Sequence, residues 1–389
     1  MAFGYLELRV GLWLILCFRN CSIMLTRYLT RINTMGSIRI GIVGLGGNTR
    51  LRHVPGFRAC QDVEIVGVCN RRTESTQAAA AESGIPKTYS RWEDLVEDPA
   101  IDAVMIGTWP YLHRDISVAA LKAGKHVLTE ARMARNAMEA RQMFAASQQH
   151  PELVTQIVPS PFGLRVHRAV KDLLAEGFLG QLREVVVLGI NNTVADPTSP
   201  LHWRQSAELS GLNMLALGIL HETLVRWIPH PTRVLAQTQI FTPTRHDPAT
   251  GRVKHVGTPD SVQILTEIPG NARGIPGNAR GIYHLSGAVY HGPGTQIHLY
   301  GSEGSLKYSF DGEDRVSIGR KDERSLRELE IPPEKAGGWR VEEEFINAIR
   351  GIEAVQFTDF ATGVRYMEFT EAVANSAASG CTADLPTRD

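Results

Sequence analysis

From Met35 to about His150 the chain alternates short apolar runs with mixed polar and apolar stretches, the first of them alanine-rich. The runs cover residues 38–43, 63–69, 102–107 and 125–128. Runs this short and this apolar predict strands covered on both faces. The stretches between them predict helices over 73–83, 91–96, 113–123 and 136–149. Gly84 and Gly124 stop two of these helices, and Asn136 caps the last. Strand and helix in regular alternation imply a parallel sheet with helices on both faces.

Past Pro151 the texture changes. A strand is expected at 153–158, a helix at 165–176 and a strand at 182–190. A loop rich in Asn, Asp, Pro and Ser then covers 191–200. An apolar helix is expected over 212–227. β-like runs follow at 234–241, 262–267, 281–290, 295–301, 304–310 and 315–318, with turns but no helices between them. That pattern predicts a mainly antiparallel sheet. Helices over 341–350 and 360–379 close the chain. The expected organisation is a Rossmann-type doubly wound domain over 35–157 and an α+β domain with a large open sheet over 158–389. Residues 269–275 recur at once as 276–282, and one copy is expected to be an extruded loop, since lengthening a loop costs little.

The first apolar run leads straight into Gly44-Leu-Gly-Gly-Asn-Thr49. A strand ending in such a turn opens a dinucleotide-binding βαβ unit. Gly44 makes the turn, Gly46 lets a pyrophosphate approach the main chain, and the amides of Gly47, Asn48 and Thr49 open the next helix beneath the phosphates. Asn48 or Thr49 is expected to cap that helix. The G-x-G-x-x-G pattern puts a third glycine or alanine where this chain has Thr49. After the second strand comes Asn70-Arg71-Arg72. An acid there would bind the ribose 2′-hydroxyl of NAD, whereas arginine pairs with the 2′-phosphate of NADP. NADP is therefore favoured, with NAD still open.

Composition adds bounds. The chain has 389 residues, enough for two domains, with Lys+Arg and Asp+Glu balanced at 41 each. That balance suggests neither a nucleic-acid nor a membrane partner. The five cysteines, Cys17, Cys21, Cys60, Cys69 and Cys381, show no C-x-x-C pair and suit a reducing, cytoplasmic setting. His202, His221, His230, His284, His291 and His298 lack ligand spacing, so no metal site is expected. Residues 1–34 are Arg-bearing, with an apolar core too short to span a bilayer. A secretory signal, an organelle transit peptide and a start codon set too far upstream all fit. The last is favoured because the first strand follows Met35 so closely, and the segment is left out of the fold as poorly ordered.

Longer stretches carry a resemblance. They are the glycine turn, Asp102-Ala-Val-Met-Ile-Gly-Thr-Trp-Pro-Tyr-Leu-His113, Ala119-Ala-Leu-Lys-Ala-Gly-Lys-His-Val-Leu-Thr-Glu130, Gly177-Phe-Leu-Gly180 and Ser376-Ala-Ala-Ser-Gly380. In these the chain resembles the Gfo/Idh/MocA oxidoreductases. The resemblance implies hydride transfer between bound NAD(P) and a sugar, cyclitol or polyol-like substrate. It also implies a homo-oligomer, dimer or tetramer, built through the open sheet.

The resemblance exposes two departures. The family's Glu-Lys-Pro is Glu130-Ala131-Arg132 here, so the lysine beside the nicotinamide and the substrate hydroxyl is absent. On the helix facing the cofactor, the aspartate position is Ala216 or Leu217 according to register, and His221 lies one place further from Gly218 than usual. A secondary alcohol still needs a base and an oxygen-stabilising donor. His221 is the expected proton carrier because its unperturbed pKa is near neutrality. Glu222 is its partner and Arg132 a source of positive charge. Thr108, Trp109 and His113, after the strand ending at Gly107, and Glu130 are expected at the cofactor. Tyr111, Trp203 and Arg204 are expected at the substrate. A remodelled site also fits redox-neutral glycoside cleavage or elimination using a held cofactor, or a catalytically silent NADP-binding protein.

Overall fold

A computed structural model describes residues 36–270 and 278–387. The expectations for 1–34 and for the first copy of the tandem repeat lie largely outside these residues. The described end of the second copy, Ala279 to Ile282, is regular strand.

The first domain is a six-stranded parallel sheet in the order β3-β2-β1-β4-β5-β6. Its strands are β1 (Ile38–Val43), β2 (Val63–Cys69), β3 (Lys87–Thr88), β4 (Ala103–Ile106), β5 (His126–Thr129) and β6 (Thr155–Ile157). Every residue of β4 is buried, as its unbroken apolar run requires. β1 and β4 lie side by side at the centre. The direction in which successive strands are added reverses there, and ligands bind outside the carboxyl ends of strands at such a switch point. Asn136 caps the helix Ala137–Gln149 by accepting from the Glu139 amide.

The second domain holds a nine-stranded sheet in the order β16-β15-β14-β13-β7-β12-β11-β8-β17. It comprises β7 (Leu182–Ile190), β8 (Arg233–Gln239), β11 (Ser261–Ile268), β12 (Ala279–Ser286), β13 (Gly294–Gly301), β14 (Gly304–Phe310), β15 (Asp314–Arg320), β16 (Arg327–Glu328) and β17 (Ala383–Asp384). Only the β7–β12 pair is parallel. β11 alternates buried and exposed residues along its length, so one face packs inward and the other lies open. A separate hairpin of β9 (Thr244–Asp247) and β10 (Arg252–His255) was not expected from the sequence. Its strands are four residues each and mostly polar, which leaves no apolar periodicity to read.

Two helices tie the halves together. Phe360–Ser379 sends Phe360, Val364, Tyr366 and Met367 into the first domain's core and Phe369, Ala372 and Val373 into the second's. Val341–Ile349 buries Val341, Phe345 and Ile346 against the first domain. The expected helix over 212–227 is shorter, Leu217–Val225. In place of its missing first turn the chain makes non-helical turns, with Leu215 at a φ of 46°: the Leu212 amide donates to the Arg135 carbonyl at 2.8 Å, and a Cβ on Gly211 would overlap Arg135. Among the described residues no helix is long and apolar enough to cross a membrane.

Candidate cofactor and substrate site

Gly44 takes a φ of 90°, which favours glycine, and a Cβ there would stand 2.6 Å from the Thr108 amide nitrogen. Its own amide donates to the Cys69 carbonyl at 2.8 Å. The next amide, Leu45, donates to Asn70 Oδ1 at 2.7 Å, which stitches the turn to the end of β2. Gly46 and Gly47 have open space wherever a Cβ would stand. Beside the turn the Thr108 hydroxyl is shielded from solvent without a hydrogen-bond partner. An open glycine cradle next to an orphaned hydroxyl fits the pyrophosphate of a dinucleotide.

Thr49, in place of the third glycine, is buried, and its hydroxyl donates to the Gly44 carbonyl at 3.1 Å. Gly107 makes the room, because a Cβ there would overlap both the Thr49 hydroxyl and the Gly44 carbonyl. The capping role expected of Asn48 or Thr49 is corrected. Asn48 has helical backbone with no side-chain cap bond, and the helix opens as a π turn over Thr49–His53. The Asn48 side-chain amide donates to Glu130 instead.

Glu130, at the end of β5, anchors a buried charged cluster. The His53 ring faces two carboxylates, Glu130 Oε1 at 3.1 Å from Nε2 and Glu342 at Nδ1. Trp339 Nε1 donates to Glu342 Oε2 at 3.1 Å. Burial alone would lower the His53 pKa, but the two carboxylates push it up to about 9. Burial would raise Glu130, yet His53 and Asn48 hold it below the ordinary carboxylate range. The carboxylate is thus held ionised, with Oε1 facing Asn48 and His53 and Oε2 accepting the Ala131 amide at 3.2 Å. His53 and Glu342 escaped the sequence reading. They lie 289 positions apart, and no local motif joins them.

Two residues on, Arg132 is 3% exposed. Its stem crosses the helix Leu217–Val225 at Gly218, where a Cβ would stand 2.9 Å from its Cδ. Among the described residues nothing accepts from its guanidinium, and Nε is sealed from solvent without a partner. Burial, with Arg204 adding to it, lowers its pKa to about 10, so it stays charged at neutral pH.

The rim is aromatic. Trp109 stacks on Trp203 with centroids 5.7 Å apart and planes 15° off parallel. Tyr111 lies beside Trp109 at 6.5 Å, and the Arg204 guanidinium covers the Trp203 ring at 4.3 Å. The stack draws the loop after Pro200 against the end of β4, so Tyr111, Trp203 and Arg204 share one place. Arg71 and Arg72 are exposed beyond β2. Asn70 spends its side chain on the Leu45 amide and the Ser75 carbonyl, so it shapes the turn. His113 is wholly buried, its ring between the carbonyls of Thr108 and Arg132 at 2.9 and 3.0 Å. It fixes the two segments that carry site residues and has no face toward a ligand.

The expected roles of His221 and Glu222 are corrected by burial. Gly218 meets Tyr366, and one turn further His221 meets the same long helix at Phe369, stacked with centroids 3.6 Å apart. Nδ1 bonds the Tyr283 hydroxyl at 2.8 Å, and no part of the ring reaches solvent. Burial, reinforced by His230, drives its pKa well below the ordinary value. Glu222 accepts from Arg226 Nη2 at 2.6 Å, from the Ser160 amide at 3.0 Å and from the Thr358 hydroxyl. Both carboxylate oxygens accept hydrogen bonds, so Glu222 fastens the helix to neighbouring loops.

Comparison with known proteins gives concordant results. Residues 38–157 match the model of an oxidoreductase family with an NAD-binding Rossmann fold, and 167–307 match the GFO/IDH/MocA C-terminal domain. A 1,5-anhydro-D-fructose reductase of Ensifer adhaerens is 35% identical over 146 residues, 37% of this chain and 42% of that protein. A levoglucosan dehydrogenase of Pseudarthrobacter phenanthrenivorans is 24% identical over 358 residues, 82% of this chain and 89% of that protein. A solved levoglucosan dehydrogenase in complex with NADH and L-sorbose shares the fold, with a TM-score of 0.79 at 22% identity, over 91% of this chain and 100% of that one. The chain spans between 42% and 65% of the length of several curated relatives it matches. With both domains matched in order around a glycine cradle at the sheet's switch point, the chain belongs to the Gfo/Idh/MocA oxidoreductase family.

Proposed function

We propose that the chain is an NAD(P)-dependent oxidoreductase, NADP-preferring, that moves hydride to or from a sugar, cyclitol or polyol-like substrate. The observation that carries this reading is the open face of Gly46 and Gly47 beside the orphaned Thr108 hydroxyl. The nicotinamide ring, when bound, supplies the hydride acceptor or donor. The chain's own residues do the rest. Amides at the start of the first helix receive the diphosphate. Glu130, held ionised by His53, accepts from a cofactor ribose hydroxyl. Arg71 and Arg72 receive the 2′-phosphate, with no acid at the end of β2 to repel it. The sugar class is supported by the names of the anhydrofructose and levoglucosan relatives. With His221 and Glu222 engaged in packing, the substrate proton exchanges with water at the exposed rim formed by Trp203 and Arg204.

Self-association through the open sheet is part of the same reading. Leu235, Leu265 and Ile282 are 38%, 55% and 49% exposed, and register places them side by side on β8, β11 and β12.

The test is titration of the purified chain with NAD and NADP, followed by turnover against sugars, cyclitols and glycosides read as cofactor absorbance. Replacing Arg71 and Arg72 together by alanine is expected to weaken NADP by at least about tenfold, the loss typical of a charged hydrogen bond, and to leave NAD within about twofold. Equal losses for the two cofactors would remove the phosphate contact. Sugar release with no net cofactor change would replace hydride transfer by redox-neutral cleavage.

A further inference from the structure

Two guanidinium groups stand in this site with no carboxylate paired to either among the described residues. Arg132 is 3% exposed, finds no acceptor among the described residues, and has a sealed, unpartnered Nε. Arg204 has no ion pair or hydrogen bond from its guanidinium among the described residues and rests over Trp203. The His113 ring ties the Arg132 carbonyl to the Thr108 carbonyl, and Trp109, the next residue, stacks on the Trp203 ring that Arg204 covers, so both arginines stand at this end of β4; Arg204 accordingly lowers the Arg132 pKa. Glu130, two residues before Arg132, is committed to His53 and Asn48. An unpaired buried cation beside a second cation is costly, and native proteins rarely keep such a group without an anion to meet it.

Position decides which anion this is. The glycine cradle follows β1, and the arginines suited to a 2′-phosphate follow β2. Arg132 follows β5, three strand positions from β2 in the order β2-β1-β4-β5. At about 4.8 Å per strand the two ends lie roughly 14 Å apart. Arg132 is thus displaced from the adenosine end toward the end where a substrate meets the nicotinamide. It also lies against Gly218 of the helix Leu217–Val225, which belongs to the second domain's core, and a Cβ at Gly218 would displace its stem.

Resting on the dinucleotide reading, we propose that the substrate carries a carboxylate, as in an aldonic or uronic acid, and that Arg132 and Arg204 clamp it from two sides. Arg132 binds at the floor, where water is excluded and a guanidinium–carboxylate pair is strong. Arg204 closes from the rim, with Trp203 as its platform. Planar two-point pairing suits guanidinium groups, which explains why arginine rather than lysine stands here.

The test uses the full chain saturated with its nicotinamide cofactor. D-Gluconate and D-glucuronate are titrated by calorimetry beside their neutral counterparts, D-sorbitol and D-glucose. At least one acid is expected to bind at least about tenfold more tightly than its neutral counterpart, as a charge-assisted hydrogen bond predicts. Arg204→Gln and Arg132→Met are each expected to abolish that preference while NAD and NADP affinities stay within about twofold. A panel in which no acid outbinds its neutral counterpart overturns the proposal, as does a folded variant that keeps the preference. Weakened NADP with unchanged acid preference in the variants would show that the pair serves the cofactor phosphate, and would overturn it too. A wild-type chain that binds no nicotinamide cofactor counts against the dinucleotide reading instead. The acids are then titrated into the cofactor-free chain, where the same preference and its loss in the variants still decide.

Discussion

At the scale of single residues, the site rests on charges placed where burial makes them expensive. His53 shows this most clearly. Burial lowers its pKa, yet Glu130 and Glu342 raise it to about 9, above the unfolded value near 6.5. A group raised on folding contributes stability that is fully present below the unfolded pKa. That stability is lost as pH rises through the folded pKa. The wild-type unfolding free energy, read from urea denaturation, is therefore expected to fall between pH 6.5 and 9 by on the order of 3 kcal/mol. His53→Gln should be less stable at pH 6 and show a flatter profile across that window, and equal slopes would remove the ion cluster as the cause. Arg132 makes the opposite case. Its charge is unpaired in this structure, so Arg132→Met is expected to raise the melting temperature of the cofactor-free chain while harming acid binding. Loss of stability in that variant would mark Arg132 as a packing residue.

At the scale of elements, the glycine turn is held by two strands that it does not belong to. The Gly44 amide is fixed by the end of β2, and its carbonyl faces Gly107 at the end of β4. Thr49 fits only because Gly107 has no side chain. Gly107→Ala is expected to destabilise the fold by about 1–3 kcal/mol through overpacking and to weaken dinucleotide binding with it. Pairing it with Thr49→Gly should restore part of both, measured by thermal melts and cofactor titration. The turn and its two flanking strands were legible in the sequence, because the apolar runs and glycines are local signals. The short start of the helix Leu217–Val225 was not. Residues 212–216 are apolar enough for helix, but bonds from the Leu212 amide to the Arg135 carbonyl and from the Asn213 side chain to the Ala134 carbonyl, far away in sequence, take the segment elsewhere.

At the scale of the whole molecule, the second sheet leaves an apolar row exposed on its open face among the described residues. Leu235, Leu265 and Ile282 make an apolar row across three strands, and Val186 on β7 continues it beside Ile282. Alternation along β11 buries every second residue, so this row is set by pleat and register. Leu265→Glu is expected to shift the assembly toward monomer in analytical ultracentrifugation, with the fold intact. An unchanged sedimentation coefficient in both wild type and variant would exclude assembly through this face.

The sequence by itself determined the two-domain order, the parallel and then mainly antiparallel sheets, the glycine cradle and the position of Glu130 and Arg132 just after the strand at 125–128. These depend on apolar period and on residues close together along the chain. Only the tertiary structure decided what those side chains face. His221 follows Gly218 by one helical turn, yet Gly218 opens onto Arg132 and His221 is closed under Phe369 and Tyr283. His53 and Glu342 become a charged pair only when the helix Val341–Ile349 folds back onto the first domain. Burial and long-range pairing set protonation and access, and neither is encoded in the spacing of neighbours along the chain.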